Sequence, residues 1–372
     1  MSWFLVTFLS VYTALHWVFY RTVRCLLPAG PWARGMLGLF LLLMILAPVI
    51  TVAAGRLGQP GLARLAGTVG YWWMGYLTVS LLLLLALALL RLGALPFSPR
   101  AWDWRLPVGL ALGLAIFISA YAGWAATDLR LNRVVVPTNK LPPGVERLSI
   151  AQTTDLHLGL PGGVSRLRKA LKLIEQAHPD LWVDTGDLWD RPLLDADELV
   201  AMMRRVKPPL GKYMIAGNHE FYVGLGTSFE LSRAAGFIVL DNRGQAVGQA
   251  LYLAGVNDAR RINPDWDAAA LAGRDPRRIN IFLRHRPLFN PQHADKVDLQ
   301  LSGHTHGGQM WPAHLITSRI FPYFAGPYRA AQGVMLHTSR GTGTWGPPLR
   351  LFSPPEVTLI ELVRAPANAS PR

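Results

Sequence analysis

Residues 147–157 read Arg-Leu-Ser-Ile-Ala-Gln-Thr-Thr-Asp-Leu-His, an apolar-rich run that breaks into two potential metal ligands. The run Arg147–Thr154 predicts a strand. The next segment places Val164, Leu167, Leu171 and Ile174 on one helical stripe, and Leu181–Asp184 predicts a second strand. Further short apolar runs follow, bounded by Gly, Pro, Asn or Asp: Tyr213–Ala216, Phe237–Leu240, Leu251–Val256, Ile279–Leu283, Leu299–Leu301, Val334–Leu336 and Val357–Val363. Strands alternating with helices over residues 146–364 indicate one α/β domain, a layered β-sandwich with flanking helices. Residues 129–145 are expected as a linker and 365–372 as a disordered tail rich in Ala and Pro.

Groups that bind metals fall after successive strands. Asp155 and His157 follow the first, Asp187 the second, Asn218 and His219 the third; His285 and the pair His304 and His306 follow later ones. Loops beyond the carboxyl ends of strands form the ligand crevice of open α/β sheets, so positions about 150 residues apart in sequence can converge. If the backbone is extended there, the outer residues of Asp155-Leu156-His157 and of His304-Thr305-His306 project the same way. With a single cysteine, Cys25, thiolate sites are excluded. Imidazole and carboxylate donors suit two divalent or trivalent ions of manganese, iron or zinc. Asp187, flanked by Gly186, is the candidate to bridge them. Two cations about 3.5–4 Å apart can acidify a bridging water and neutralise charge in an in-line displacement.

These residues carry a resemblance. Asp155-Leu156-His157, Gly186-Asp187-Leu188-Trp189-Asp190-Arg191, Gly217-Asn218-His219-Glu220, His285 and Gly303-His304-Thr305-His306 resemble the full signature of the calcineurin-like metallophosphoesterases. Gly307-Gly308-Gln309, Ser339-Arg340-Gly341 and Pro354-Pro355-Glu356 resemble its bacterial membrane-associated branch. The likeness runs from about Leu148 to Leu362 and departs from the pattern at Thr153-Thr154, where a serine is expected. It implies that Asp155, His157, Asp187 and His306 hold one metal, and Asp187, Asn218, His285 and His304 the other. It makes His219 the group that assists the leaving oxygen, Asp190 its orienting carboxylate, and Arg191 a phosphate contact.

The resemblance leaves residues 1–128 unexplained. The chain as a whole is 51% hydrophobic and 16% charged, against about 25% charged in soluble domains. Met1–Tyr20, Gly35–Gly55, Leu65–Leu90 and Leu106–Thr127 lack any charge. Each approaches the roughly 20 residues that cross about 30 Å of hydrocarbon, which predicts four transmembrane helices and a multi-pass protein of the cytoplasmic membrane. The first and third connections hold six arginines and the second holds two. By the positive-inside rule the catalytic domain is expected outside the cytoplasm, although Arg130, Arg133 and Lys140 bring the comparison to six against five.

The net charge is +14, of which residues 1–128 carry +6. The remainder shows doublets such as Arg277-Arg278 and no long basic tract interleaved with aromatics, so membrane lipids are the expected partner and nucleic acid is not indicated. The sequence thus points to a membrane-anchored phosphoesterase that hydrolyses a phosphodiester, pyrophosphate or phosphomonoester by metal-activated water. The implied substrate is a phosphorylated small molecule or a lipid-like envelope molecule, since the resembling branch includes enzymes that cleave UDP-diacylglucosamine. The alternative is a sensor or transport module regulated by its phosphoesterase domain. No predicted span contains Asp, Glu, Lys or Arg, which leaves that alternative without an ionisable relay.

Overall fold

The computed structural model describes residues 2–28, 30–94, 103–258 and 261–365; the expected tail, 365–372, lies outside the described residues except for its first. The chain divides into two compact units, 1–125 with 346–349, and 126–345 with 350–372.

The first unit is built from helices α1 (Ser2–Val23), α2 (Pro31–Arg56), α3 (Pro60–Ala94) and α4 (Arg105–Thr127). Among the described residues three of these, α2, α3 and α4, are long and apolar enough to cross a membrane. The expectation of four spans is corrected accordingly. α1 forms a helix, but Thr7, Ser10, Thr13 and the buried His16 interrupt its apolar run. His16 is used structurally: its Nδ1 lies 2.7 Å from the Tyr12 carbonyl, and Trp73 Nε1 donates to its Nε2 at 2.8 Å, tying α1 to α3. Pro48 sits inside α2, where neighbouring groups in a membrane bundle can tolerate it.

The second unit contains strands β1 (Arg130–Thr138), β2 (Arg147–Thr153), β3 (Leu181–Asp184), β4 (Lys212–Met214), β5 (Ile238–Val239), β6 (Arg243–Val247), β7 (Leu251–Val256), β8 (Ile279–Arg284), β9 (Leu299–Ser302), β10 (Gly326–Arg329), β11 (Met335–Thr338) and β12 (Glu356–Arg364). Its helices are α5 (Gly163–Ala177), α6 (Ala196–Arg205), α7 (Asn218–Val223), α8 (Leu225–Ala234), α9 (Pro264–Leu271) and α10 (His314–Ile320). Two mixed six-stranded sheets result, ordered β1-β12-β2-β3-β4-β5 and β10-β11-β9-β8-β7-β6. β1 pairs in parallel with β12 over its whole length, so part of the expected linker is an edge strand of the first sheet.

One buried cluster takes Ile150, Leu181 and Ile360 from the first sheet together with Leu253, Ile281 and Leu301 from the second. Another packs α5, through Leu167 and Ile174, with Trp182 of β3 and Leu199 and Met203 of α6. β2, β3 and β4 are adjacent and parallel, as are β7, β8 and β9. The ligand-bearing loops therefore leave neighbouring strands of each sheet in a common direction.

Candidate metal centre

Each loop that leaves these strands turns sharply. Asp155, His157, Asp187, His304 and His306 all have positive φ, between 47° and 71°. The extended backbone assumed for the two Asp/His and His/His triplets is not what forms; their outer residues are left-handed. That conformation costs roughly 1–2 kcal/mol per residue and is best tolerated by short polar side chains and His. Five such residues gathered at one place mark a functional site. The neighbouring glycines are required by close approach. Gly186 has φ 101° and a Cβ on it would lie 2.6 Å from the Gly217 nitrogen, while one on Gly303 would meet Asp155 Oδ2 at 2.5 Å.

Six of the seven expected ligands come together; Asn218 stands at the first position of α7 with its Oδ1 buried. His157 Nε2 lies 3.2 Å from His306 Nε2, which is 3.4 Å from Asp155 Oδ1. His285 Nε2 lies 3.1 Å from His304 Nδ1 and 3.2 Å from Asp187 Oδ2. Metal-binding groupings form around Asp155, His157 and His306, around His157, Asp187 and His219, and around Asp187, His285 and His304. His157 and Asp187 each belong to two of the three, and of these Asp187 has the carboxylate, which can serve two ions.

The donor set fits cations. Ligands about 2.0–2.2 Å from one ion are separated by roughly 3.0–3.5 Å, the spacing found here. Asn218 Oδ1 is buried without a hydrogen-bond partner among the described residues, an arrangement that is costly unless something positive completes it. The orienting contacts leave the right ring atoms free. His285 Nδ1 lies 2.9 Å from the Thr185 carbonyl, to which it donates, so Nε2 faces the cluster. Asp190 Oδ2 lies 2.9 Å from His219 Nδ1 and 3.3 Å from His157 Nδ1. Asp190 therefore orients one metal-facing imidazole as well as His219, a second contact that the sequence does not reveal.

The electrostatics separate the histidines. Burial works against a charge on His219, but the Asp187 and Asp190 carboxylates outweigh it and raise its pKa to about 9. Burial raises Asp190, and the His219 and His157 rings more than reverse this, to about 2. His304 is pushed down to about 3 by burial and then by the charges of His285 and Arg286. His306 is pushed well below its usual range by burial and the Arg350 guanidinium. In the metal-free site His304 and His306 are thus neutral and ready to ligate, whereas His219 is protonated and so is His285, where burial works against the charge but Asp187 outweighs it and raises the pKa to about 10.

Arg191 bonds to the helix that carries His219: its Nε donates to the Tyr222 carbonyl at 3.3 Å and its Nη2 to the Val223 carbonyl, which anchors the C-terminal end of α7. Two residues that sequence reasoning left without a role hold the site from behind. Buried Glu220 accepts from the backbone nitrogens of Asp187 (3.0 Å), Gly217 (2.7 Å) and Trp189 (3.0 Å). Fully buried Arg350 donates to the carbonyls of His306 (2.9 Å), Arg340 (2.7 Å) and Gly343. The only sequence signal for Glu220 was its place in Gly217-Asn218-His219-Glu220, and for Arg350 there was none.

Fold and site together define an α/β protein in which loops leaving strands of two mixed sheets gather groups that could hold metal ions. The sequence profile of the calcineurin-like phosphoesterases matches residues 148–308. An uncharacterized metallophosphoesterase of Aquifex aeolicus is 36% identical over 256 residues, covering 67% of this chain and 97% of that protein. An uncharacterized metallophosphoesterase of Bacillus subtilis is 32% identical over 240 residues, 61% of this chain and 83% of that protein. A transmembrane protein with metallophosphoesterase domain from Danio rerio is 31% identical over 257 residues, 65% of this chain, and the match spans 59% of its length. The chain belongs to the calcineurin-like metallophosphoesterase family and is a metal-dependent phosphoric ester hydrolase.

Proposed function

We propose that the chain is a membrane-anchored dimetal phosphoesterase acting on a phosphodiester, pyrophosphate or phosphomonoester of a lipid-like or envelope molecule. The observation that carries this reading is the convergence of ligand atoms at 3.1–3.4 Å, beside a buried Asn218 Oδ1 that has no hydrogen-bond partner among the described residues. Asp155, His157, Asp187 and His306 would hold one cation and Asp187, Asn218, His285 and His304 the other, with manganese, iron or zinc suited to these donors. The two sheets act as facing layers of a sandwich, a reading supported by the core cluster they share.

When bound, two such cations neutralise phosphoryl oxygens and acidify the attacking water. The chain supplies the rest. His219, protonated and held by Asp190 at 2.9 Å, donates to the oxygen that leaves. Glu220 fixes the backbone on both sides of Asp187, and Arg191 keeps α7 in place as a positioning residue.

α2, α3 and α4 provide the anchor. The side taken by the catalytic domain relative to the Arg91, Arg100 and Arg105 connection depends on α4 alone, so the orientation reading survives the correction at α1. The positive-inside rule favours an extracytoplasmic domain on the cytoplasmic membrane. Metal-loaded full-length protein should hydrolyse bis-p-nitrophenyl phosphate, p-nitrophenyl phosphate or a nucleotide-diphosphate lipid, and lose that activity on chelation. Fully metallated protein inert toward all three would contradict the reading.

A further inference from the structure

The mouth of the ligand cluster carries apolar groups that no described residue covers. α10 is packed against the ligand loop, since a Cβ on Gly308 would lie 2.6 Å from His314 Cα. None of the residues of α10 is buried. Leu315, Ile316 and Ile320 are 47%, 67% and 62% exposed, and Trp311 just before them is 50% exposed. Trp345, 52% exposed, has its ring centroid 6.0 Å from that of His219. Its backbone is clasped by the Gln309 side chain through two hydrogen bonds of 2.9 Å.

The charge along the segment that carries α10 and Trp345 is one-sided. No Asp or Glu occurs between Asp298 and Glu356, a stretch whose exposed cations are Arg319 and Arg329, since Arg340 pairs with Glu356 and Arg350 is buried. A water-facing surface normally mixes acids with bases and avoids contiguous apolar groups. Aliphatic and tryptophan side chains beside arginine, without acids, are what the headgroup region of a bilayer accepts. Anionic headgroups complement the arginines, and the same chain carries three helices apolar enough to cross a membrane.

We propose that Trp311 and α10 lie in the headgroup–acyl boundary of an anionic bilayer. The cluster then meets the phosphate of an amphiphile whose apolar part stays in lipid. This deepens the lipid-like substrate reading and rests on it for the identity of the amphiphile.

The test uses the full chain with Cys25→Ser and Ile316→Cys, carrying an NBD fluorophore, in nanodiscs of phosphatidylethanolamine and phosphatidylglycerol. Blue-shifted emission, quenched by shallow doxyl-labelled lipid and insensitive to iodide, is the expected result. Iodide quenching without doxyl quenching would overturn the proposal, as would protection from both quenchers, which would indicate a second copy of the chain on this face. Replacing Leu315, Ile316 and Ile320 with serine should lower the rate on bilayer-embedded phosphodiesters about 10-fold relative to bis-p-nitrophenyl phosphate, because the lost apolar burial weakens docking. An unchanged ratio would count against the proposal. The location readout is independent of turnover: a lipid-facing label in a protein that cleaves soluble diesters and no embedded one upholds the docking and rejects the lipid substrate.

Discussion

Asp190→Asn isolates the charge that holds His219. Asparagine still offers an oxygen to His219 Nδ1, now 2.9 Å from Asp190 Oδ2, so the ring can keep its place while the negative charge is lost. A hydrogen bond to a charged group contributes about 1.5–3 kcal/mol and a neutral one about 0.5–1.5. The variant should therefore lose about 1–1.5 kcal/mol of the stabilisation of protonated His219, roughly 5- to 12-fold in rate for a poor leaving group at 1.36 kcal/mol per decade. The pH dependence has a definite sign. Burial lowers the pKa of His219, but Asp187 and Asp190 outweigh it and raise it to about 9. That value belongs to the metal-free chain; in the loaded enzyme, activity that needs the protonated ring is present below the pKa the ring has there and falls as pH rises through it. Removing one of the two carboxylates moves this alkaline limb to lower pH, by about half a unit or more. The assay is kcat/KM against pH for a p-nitrophenyl diester and an alkyl diester. An alkaline limb that stays put, or equal losses for both leaving groups, would refute the acid role of His219.

Chelation should lower the melting temperature substantially. At free metal 100 times Kd each site contributes about 2.7 kcal/mol, so two sites give about 10–20 °C for a domain of roughly 150–250 residues; calorimetry with and without chelator checks this. Glu220→Gln leaves one oxygen and an NH2 group facing three backbone donors, and should cost about 2–4 kcal/mol, seen as a fall of about 5–15 °C in Tm together with weaker metal retention. For orientation, a C-terminal alkaline phosphatase fusion should be active and a fluorescent-protein fusion dim; the opposite pattern would place the catalytic site in the cytoplasm.

The sequence made the central strands and the ligands legible for one physical reason. Strands buried on both faces, such as β3, β7 and β8, are continuous apolar runs, and the polar residue that ends each run stands out. β1, β6 and β10 escaped because they are edge strands with exposed and half-exposed positions, so they show no such run. The seven candidate ligands were visible as residue types at strand ends, but the left-handed backbone of five of them was not, since Asp and His do not announce positive φ as glycine does. Arg350, and Glu220 toward Asp187 and Trp189, act through backbone groups distant from them in sequence, whereas the bond from Gly217 to Glu220 is a local helix cap. At α1 the reverse occurred: an uncharged run read as a span contains polar groups that tie it to α3.

The central claim is a dinuclear site bridged by Asp187, and the most direct measurement is metal content per chain by mass spectrometry for wild type and Asp187→Asn, both purified at full length after loading and desalting. Two ions per chain in the wild type, with one or none retained by the variant and activity lost in parallel, is the predicted result. Two ions retained by Asp187→Asn with turnover near wild type would contradict the bridge, and a wild type that is active with no bound metal would contradict the site itself.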